Sequence, residues 1–102
     1  MIETSQNMTL GACVVVSKNQ VSSELAGEAV ILNMDRGMYY GLDEVGARIW
    51  KLIQQPQTLS QVRDVLIGEF QVTQDQCERD LLALIEQLSQ AGLVLVTDAS
   101  DQ

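Results

Sequence analysis

The chain has 102 residues, 46 % of them hydrophobic and 20 % charged, with a net charge of −8 and no histidine. That length supports one domain with a single modest core. The acidic balance speaks against displacing counterions from nucleic acid, and the missing histidine removes the commonest general base and metal ligand.

"MIETSQNM" reads as a polar, frayed start over residues 1–10, without the basic-then-apolar order of a signal peptide. "GACVVVS", 11–17, is rich in β-branched residues and closes on polar Ser17-Lys18-Asn19-Gln20, which predicts a strand. "EAVILNM", 28–34, predicts another, and Asp35-Arg36-Gly37 supply a three-residue hairpin turn with Gly37 in the left-handed position. "MYYGL", 38–42, is the returning strand. Adjacent strand residues face opposite ways, so one of Tyr39 and Tyr40 packs inward and the other covers the outer face; the alternation does not say which. Gly41 suits either a bulge or bend, or the close approach of a second backbone.

From Asp43 onward the apolar period changes to that of a helix. Asp43 is an N-cap, with Glu44 in the first turn and Val45, Ile49, Trp50, Leu52 and Ile53 as the stripe, ended by Pro56. Thr58 with Gln61 forms a capping box for a second helix through Val62, Val65, Leu66 and Phe70. Thr73 with Gln76 forms another for the longest helix, where Cys77, Leu81, Leu84 and Leu88 share a face and Gly92 caps the C-terminus. Cys77 and Asp80 fall at the margin of that face, where a groove has room to open, and Asp80 serves either as a solvated surface acid or as a partner for a peptide donor. "LVLV", 93–96, adds a short strand or extends the core, and residues 97–102 form a polar tail. The predicted class is α+β: a winged helix-turn-helix-like domain over 11–96, with an N-terminal three-stranded antiparallel sheet followed by three helices.

Cys13 and Cys77 are too far apart for a CxxC pair and make no zinc site of the usual kind. No apolar run approaches the roughly 18 residues of a membrane span, so the chain reads as cytoplasmic with reduced thiols. Nothing marks one of the 14 acids as catalytic. The expectation is a protein that is not an enzyme, with no cofactor and no metal.

"AVILNMDRGMYYGLDEVGARIWKLIQQPQTLSQVRDVL…AGLVLV" resembles the PqqD family, the peptide-recognition domains of ribosomal peptide natural-product pathways. The resemblance covers roughly residues 12–96, and its most specific part is the hairpin strand running into "GLDEVGARIW". It implies a stand-alone adaptor, of the kind found in lasso-peptide pathways, that binds the leader segment of a precursor peptide. The leader would add as a strand to the hairpin edge beside the third helix and be delivered to a leader peptidase, a cyclase or another maturation enzyme. Physical reasoning supports the same edge: "MYYGL" has none of the lysines or prolines that usually blunt an edge strand, and carries two aromatics instead.

The candidate peptide-binding residues are therefore Met38, Tyr39, Tyr40, Gly41 and Leu42 on the strand, with Cys77, Asp80, Leu81 and Leu84 on the third helix. The partners expected are the leader and its maturation enzyme, with no nucleic acid and no membrane. Two other readings stand beside this one. A self-associating structural module would pair through the same edge as a homodimer. A winged-helix DNA-binding regulator would need a basic recognition helix, and residues 73–91 carry one arginine and no lysine.

Overall fold

The computed structural model describes residues 10–97. In chain order it has β1 (Cys13–Val16), β2 (Gln20–Leu25), β3 (Glu28–Asn33), β4 (Met38–Leu42), α1 (Glu44–Leu52), β5 (Gln57–Thr58), α2 (Leu59–Glu69), α3 (Gln74–Gln90) and β6 (Val94–Thr97). The class is α+β with three helices, but the strands divide into two antiparallel sheets, β2-β3-β4 and β5-β1-β6. The frayed start expected over 1–10 and the tail expected over 97–102 lie outside the described residues, apart from Leu10 and Thr97. Leu10 is tied down: its carbonyl accepts from the Ser60 N–H at 2.9 Å and its side chain packs against the core.

A single N-terminal sheet built from 11–17, 28–34 and 38–42 is therefore not what forms. β1 leaves the hairpin and pairs with β6 in the register Val14↔Val96, and with β5 in the register Cys13↔Thr58. Its place is taken by Gln20–Leu25, which the sequence hides. The apolar residues of that segment, Val21 and Leu25, face solvent, and the residues turned inward include Ser22, whose hydroxyl accepts the Trp50 indole N–H at 3.1 Å. The usual inside-apolar alternation is inverted. β2 turns into β3 through Ala26 and Gly27, with φ of 56° and 83°, the positive pair that a two-residue hairpin needs.

The next hairpin closes on the pair Asn33↔Met38, so its loop is the four residues Met34–Gly37, one longer than the turn read from the sequence. Gly37 sits at φ 69° as required. Asp43 caps α1, its Oδ1 accepting from the Gly46 N–H at 2.8 Å, and the Thr58–Gln61 capping box is complete. The one at Thr73 is half-formed. Thr73 Oγ1 accepts the Gln76 N–H, but the Gln76 side chain bonds Asp80 and Arg79 instead of reaching back to the cap. At the far end of α3, the Gly92 N–H reaches Ser89 O and the Leu93 N–H reaches Leu88 O, a Schellman motif with Gly92 at φ 77°.

Ile31, Ile49, Ile53, Leu59, Leu81, Ile85 and Leu93 fill the centre, with Trp50 buried beside them. Asn33 is the buried polar residue among those described, 4 % exposed. Its Nδ2 donates to the Ala91 carbonyl at 2.7 Å, and its Oδ1 accepts from the backbone N–H of Asp35 and of Arg36. Arg36 completes the junction by donating to the Gln90 carbonyl at 3.1 Å. Two orphan carbonyls at the end of α3 are thus held by the β3–β4 loop. Asn33→Ala should cost about 2–3 kcal/mol, because buried partners lose their bonds. Asn33→Asp keeps the turn but sets an oxygen against the Ala91 carbonyl, so it should destabilise comparably; urea unfolding that leaves either variant at wild-type stability would refute the junction's role.

Candidate functional site

Among the described residues β4 is an edge of its sheet, with β3 on one side and no strand on the other. Its hairpin loop is fastened to the C-terminal end of α3, while its last residues, Gly41 and Leu42, stand across from the N-terminal half of that helix. A groove of about 520 Å³ opens there. Cys77, Asp80, Leu81 and Leu84 line it from α3, at the i, i+3, i+4, i+7 spacing of one helix face. Val45, Gly46 and Ile49 close it from α1. Leu66 and Phe70 at the end of α2, with Val72 in the following link, form the remaining wall.

Six of the nine candidate residues named from the sequence meet in this groove: Gly41, Leu42, Cys77, Asp80, Leu81 and Leu84. Met38, Tyr39 and Tyr40 do not line it and lie further along β4. Tyr40 is half-buried and packs against the core, whereas Tyr39 is 71 % exposed on the outer face, which settles the alternation left open by the sequence. The wall from α1 and α2 was missed. Val45, Ile49, Leu66 and Phe70 read as ordinary helix stripes, and periodicity cannot tell an apolar residue in the core from one at its open margin. Two signals were present. Val72 is a lone apolar residue in the polar link between two helices, and Gly46 is a glycine inside a helix. A Cβ on Gly46 would stand 3.3 Å from Leu42 Cβ and 3.2 Å from Asp43 Oδ1, so the glycine lets α1 close against the end of β4.

The groove is apolar with one available acid. Asp43 is engaged in its cap, and Asp80 Oδ1 accepts from Gln76 Nε2 at 2.9 Å on the exposed rim. Burial pushes the Cys77 thiol above its ordinary pKa, and its sulfur lies 4.0 Å from the Arg63 carbonyl, so it behaves as a small apolar residue. Cys13 is partly exposed, and neither cysteine is in a disulfide. Among the described residues no group of three or more His, Cys, Asp or Glu side chains is arranged to hold a metal ion, and no helix is long and apolar enough to cross a membrane.

Two ion pairs tie the helical walls together. Arg48 on α1 makes a bidentate contact with Glu69 on α2, and Arg63 on α2 pairs with Glu78 on α3, each at 2.7 Å. Hydrogen bonds from these arginines hold both carboxyls below the ordinary carboxylate value of 4.5. Depressed carboxylate pKa values contribute stability that is present above the unfolded value and lost as pH falls through the folded one. Stability should therefore decline on the acid side of pH 4.5, and Glu69→Gln should flatten part of that decline. Chemical denaturation from pH 6 to pH 2.5 checks this; identical pH profiles for the variant and the wild type would exclude the contribution. Because both pairs are partly exposed, added salt should weaken the effect.

The family model described as Coenzyme PQQ synthesis protein D (PqqD) matches residues 28–94. Among solved structures, the chain is similar to TbiB1 in complex with the TbiA(beta) leader peptide, at 32 % identity and a TM-score of 0.72, covering 78 % of this chain and 93 % of that one. It shares its fold with a lasso peptide synthetase B1 complexed with the leader peptide, at 23 % identity and a TM-score of 0.72, covering 80 % of this chain and 96 % of that one. No curated protein matches the chain.

Proposed function

The chain belongs to the PqqD family, and on that premise we propose that it is a non-catalytic adaptor that binds the leader segment of a ribosomally made precursor peptide by strand addition to β4 and delivers it to a maturation enzyme, such as a leader peptidase, in the cytoplasm. The observation that carries this reading is an open strand edge running into an apolar groove beside α3. The relative TbiB1, 32 % identical, is complexed with a leader peptide, which supports the same ligand class here. The packing of α2 and α3 beside the β5-β1-β6 sheet fits a winged helix-turn-helix-like description. α3 bears Asp75, Glu78, Asp80 and Glu86 against Arg79 alone, which does not suit a phosphate backbone.

In this mechanism an incoming strand takes its affinity from the unpaired backbone groups of β4 and its selectivity from alternate side chains. One set of guest side chains enters the groove between Leu42 and the Cys77, Leu81 and Leu84 face. Asp80 at the rim receives a donor from the peptide. Met38 and Tyr40 flank the edge further along, and Gly41 admits the guest backbone closely, since a Cβ placed there would meet nothing within 4 Å.

Fluorescence polarisation of a labelled leader peptide tests this, with core peptide and duplex DNA as controls. Saturable binding of the leader alone is expected. Gly41→Pro removes an edge N–H and should weaken leader binding by about tenfold or more; a folded variant that binds normally would sink the strand-addition mechanism. Leu84→Asp places a charge in the apolar groove and should weaken binding by a similar factor. Circular dichroism on the same samples separates lost binding from lost fold.

A further inference from the structure

The chain carries the same capping pattern twice, Thr58 with Gln61 and Thr73 with Gln76, and only the first closes as a box. Both glutamines stand three residues past their threonine, so the difference lies in what else each side chain reaches. Four residues after Gln61 is Val65, which offers an amide nothing to bond. Four residues after Gln76 is Asp80. The Gln76 Nε2 donates to Asp80 Oδ1 at 2.9 Å, and its Oε1 accepts from the Arg79 guanidinium at 3.1 Å. The backbone N–H of Thr73 thereby forgoes the bond that a capping box supplies. α3 weakens its own cap and uses the amide to hold a carboxylate at the rim of the groove. A local rule broken in that way points to function.

The surroundings of that carboxylate define the guest it suits. Oδ1 has its donor, and among the described residues nothing donates to Oδ2. No lysine or arginine lines the groove. Arg48 on α1 and Arg63 on α2 are occupied by Glu69 and Glu78, while Arg79 bonds Gln76 and lies 3.6 Å from Asp75. Asp43, the other acid at the groove, is engaged in its cap. The rim therefore presents one oriented, uncompensated carboxylate oxygen at the mouth of an apolar trough. A lysine or arginine fits both halves: its methylene stem lies along the apolar lining and its charged head stays at the rim. A neutral hydroxyl would meet the oxygen but leave its charge unpaired, and an acidic side chain would find no cation here.

We propose that Asp80 is a specificity-determining residue of the groove, selecting a leader peptide with a lysine or arginine opposite it, and that Gln76 is the positioning residue that orients the Asp80 carboxylate. The proposal rests on the leader-binding reading. Gln76 does not line the groove and acts through Asp80. With one oxygen already fixed by the amide, less side-chain freedom is lost when the guest cation pairs with the other. Because Asp80 is exposed, the pair is modest in strength and weakens with added salt. Apolar contact supplies most of the affinity, and the rim charge decides which leader binds and in which register.

The test is fluorescence polarisation of the labelled leader peptide of the same pathway, at low and at high salt. Wild type, Asp80→Asn, Gln76→Met and the double variant are compared, and each lysine and arginine of the leader is replaced by glutamine in turn. Gln76→Met keeps the length and helix propensity of the side chain and removes its amide. Asp80→Asn should lose about fivefold in affinity at low salt and show a flatter salt dependence. Gln76→Met should lose about twofold by itself and nothing further beside Asp80→Asn. One leader replacement should lose about fivefold on the wild type and nothing further on Asp80→Asn, which tests the cation on unaltered protein as well. Unchanged affinity in Asp80→Asn, or no leader cation coupled to it, overturns the proposal. A loss that does not respond to salt overturns the cation in favour of a neutral donor. An equal Gln76→Met loss in both backgrounds overturns its positioning role. A wild type that binds no leader overturns the leader-binding reading and this inference with it, whereas leader binding without an Asp80 effect overturns this inference alone.

Discussion

The junction of Asn33 and Arg36 with the last carbonyls of α3 is the constraint on which the rest of the arrangement depends. A helix end leaves carbonyls without intrahelical partners, and a hairpin loop leaves N–H groups without a ladder. One asparagine resolves part of both, with its amide nitrogen on Ala91 and its amide oxygen across the turn. Gly92 makes this contact possible twice over: its φ of 77° ends the helix, and a side chain there would stand 3.2 Å from Asn33 Nδ2 and 3.3 Å from the Arg36 guanidinium. The β3–β4 hairpin is thereby fixed against α3 at one end.

Fixing one end leaves the other to be spaced by what packs there. At the far end Gly46 lets α1 close on Leu42, and Phe70 and Val72 cross behind. The result is a gap between strand and helix, floored by apolar residues, in place of a sealed seam. The Arg48–Glu69 and Arg63–Glu78 pairs hold the three helices around it with groups that remain at the surface. Electrostatics thus help position the walls, and the apolar lining stays open between them.

Among the described residues, the β2-β3-β4 sheet has an open edge at β4 and an apolar outer face. A strand added at the edge would complete its backbone bonding, while Val21, Leu25, Val30 and Tyr39 stand exposed on the face. The two are geometrically linked, because side chains alternate along any strand that joins the sheet.

Local signals determined much by themselves. Asp43, the Thr58–Gln61 box, Pro56 and Gly92 placed the helix ends, because caps and breakers act over a few residues of chain. Gly37 marked the hairpin for the same reason, and the resemblance carried by "MYYGLDEVGARIW" pointed to the edge strand and to α3. Only the tertiary structure decided what pairs over distance. It moved β1 into a sheet with β6, drew Gln20–Leu25 into the hairpin sheet despite its inverted pattern, and divided Tyr40 from Tyr39 between core and surface. It also showed which members of the α1 and α2 stripes border the groove. These were illegible because periodicity reports which face of an element is apolar; whether that face meets another element, an open groove or solvent depends on neighbours that the local chain does not contain.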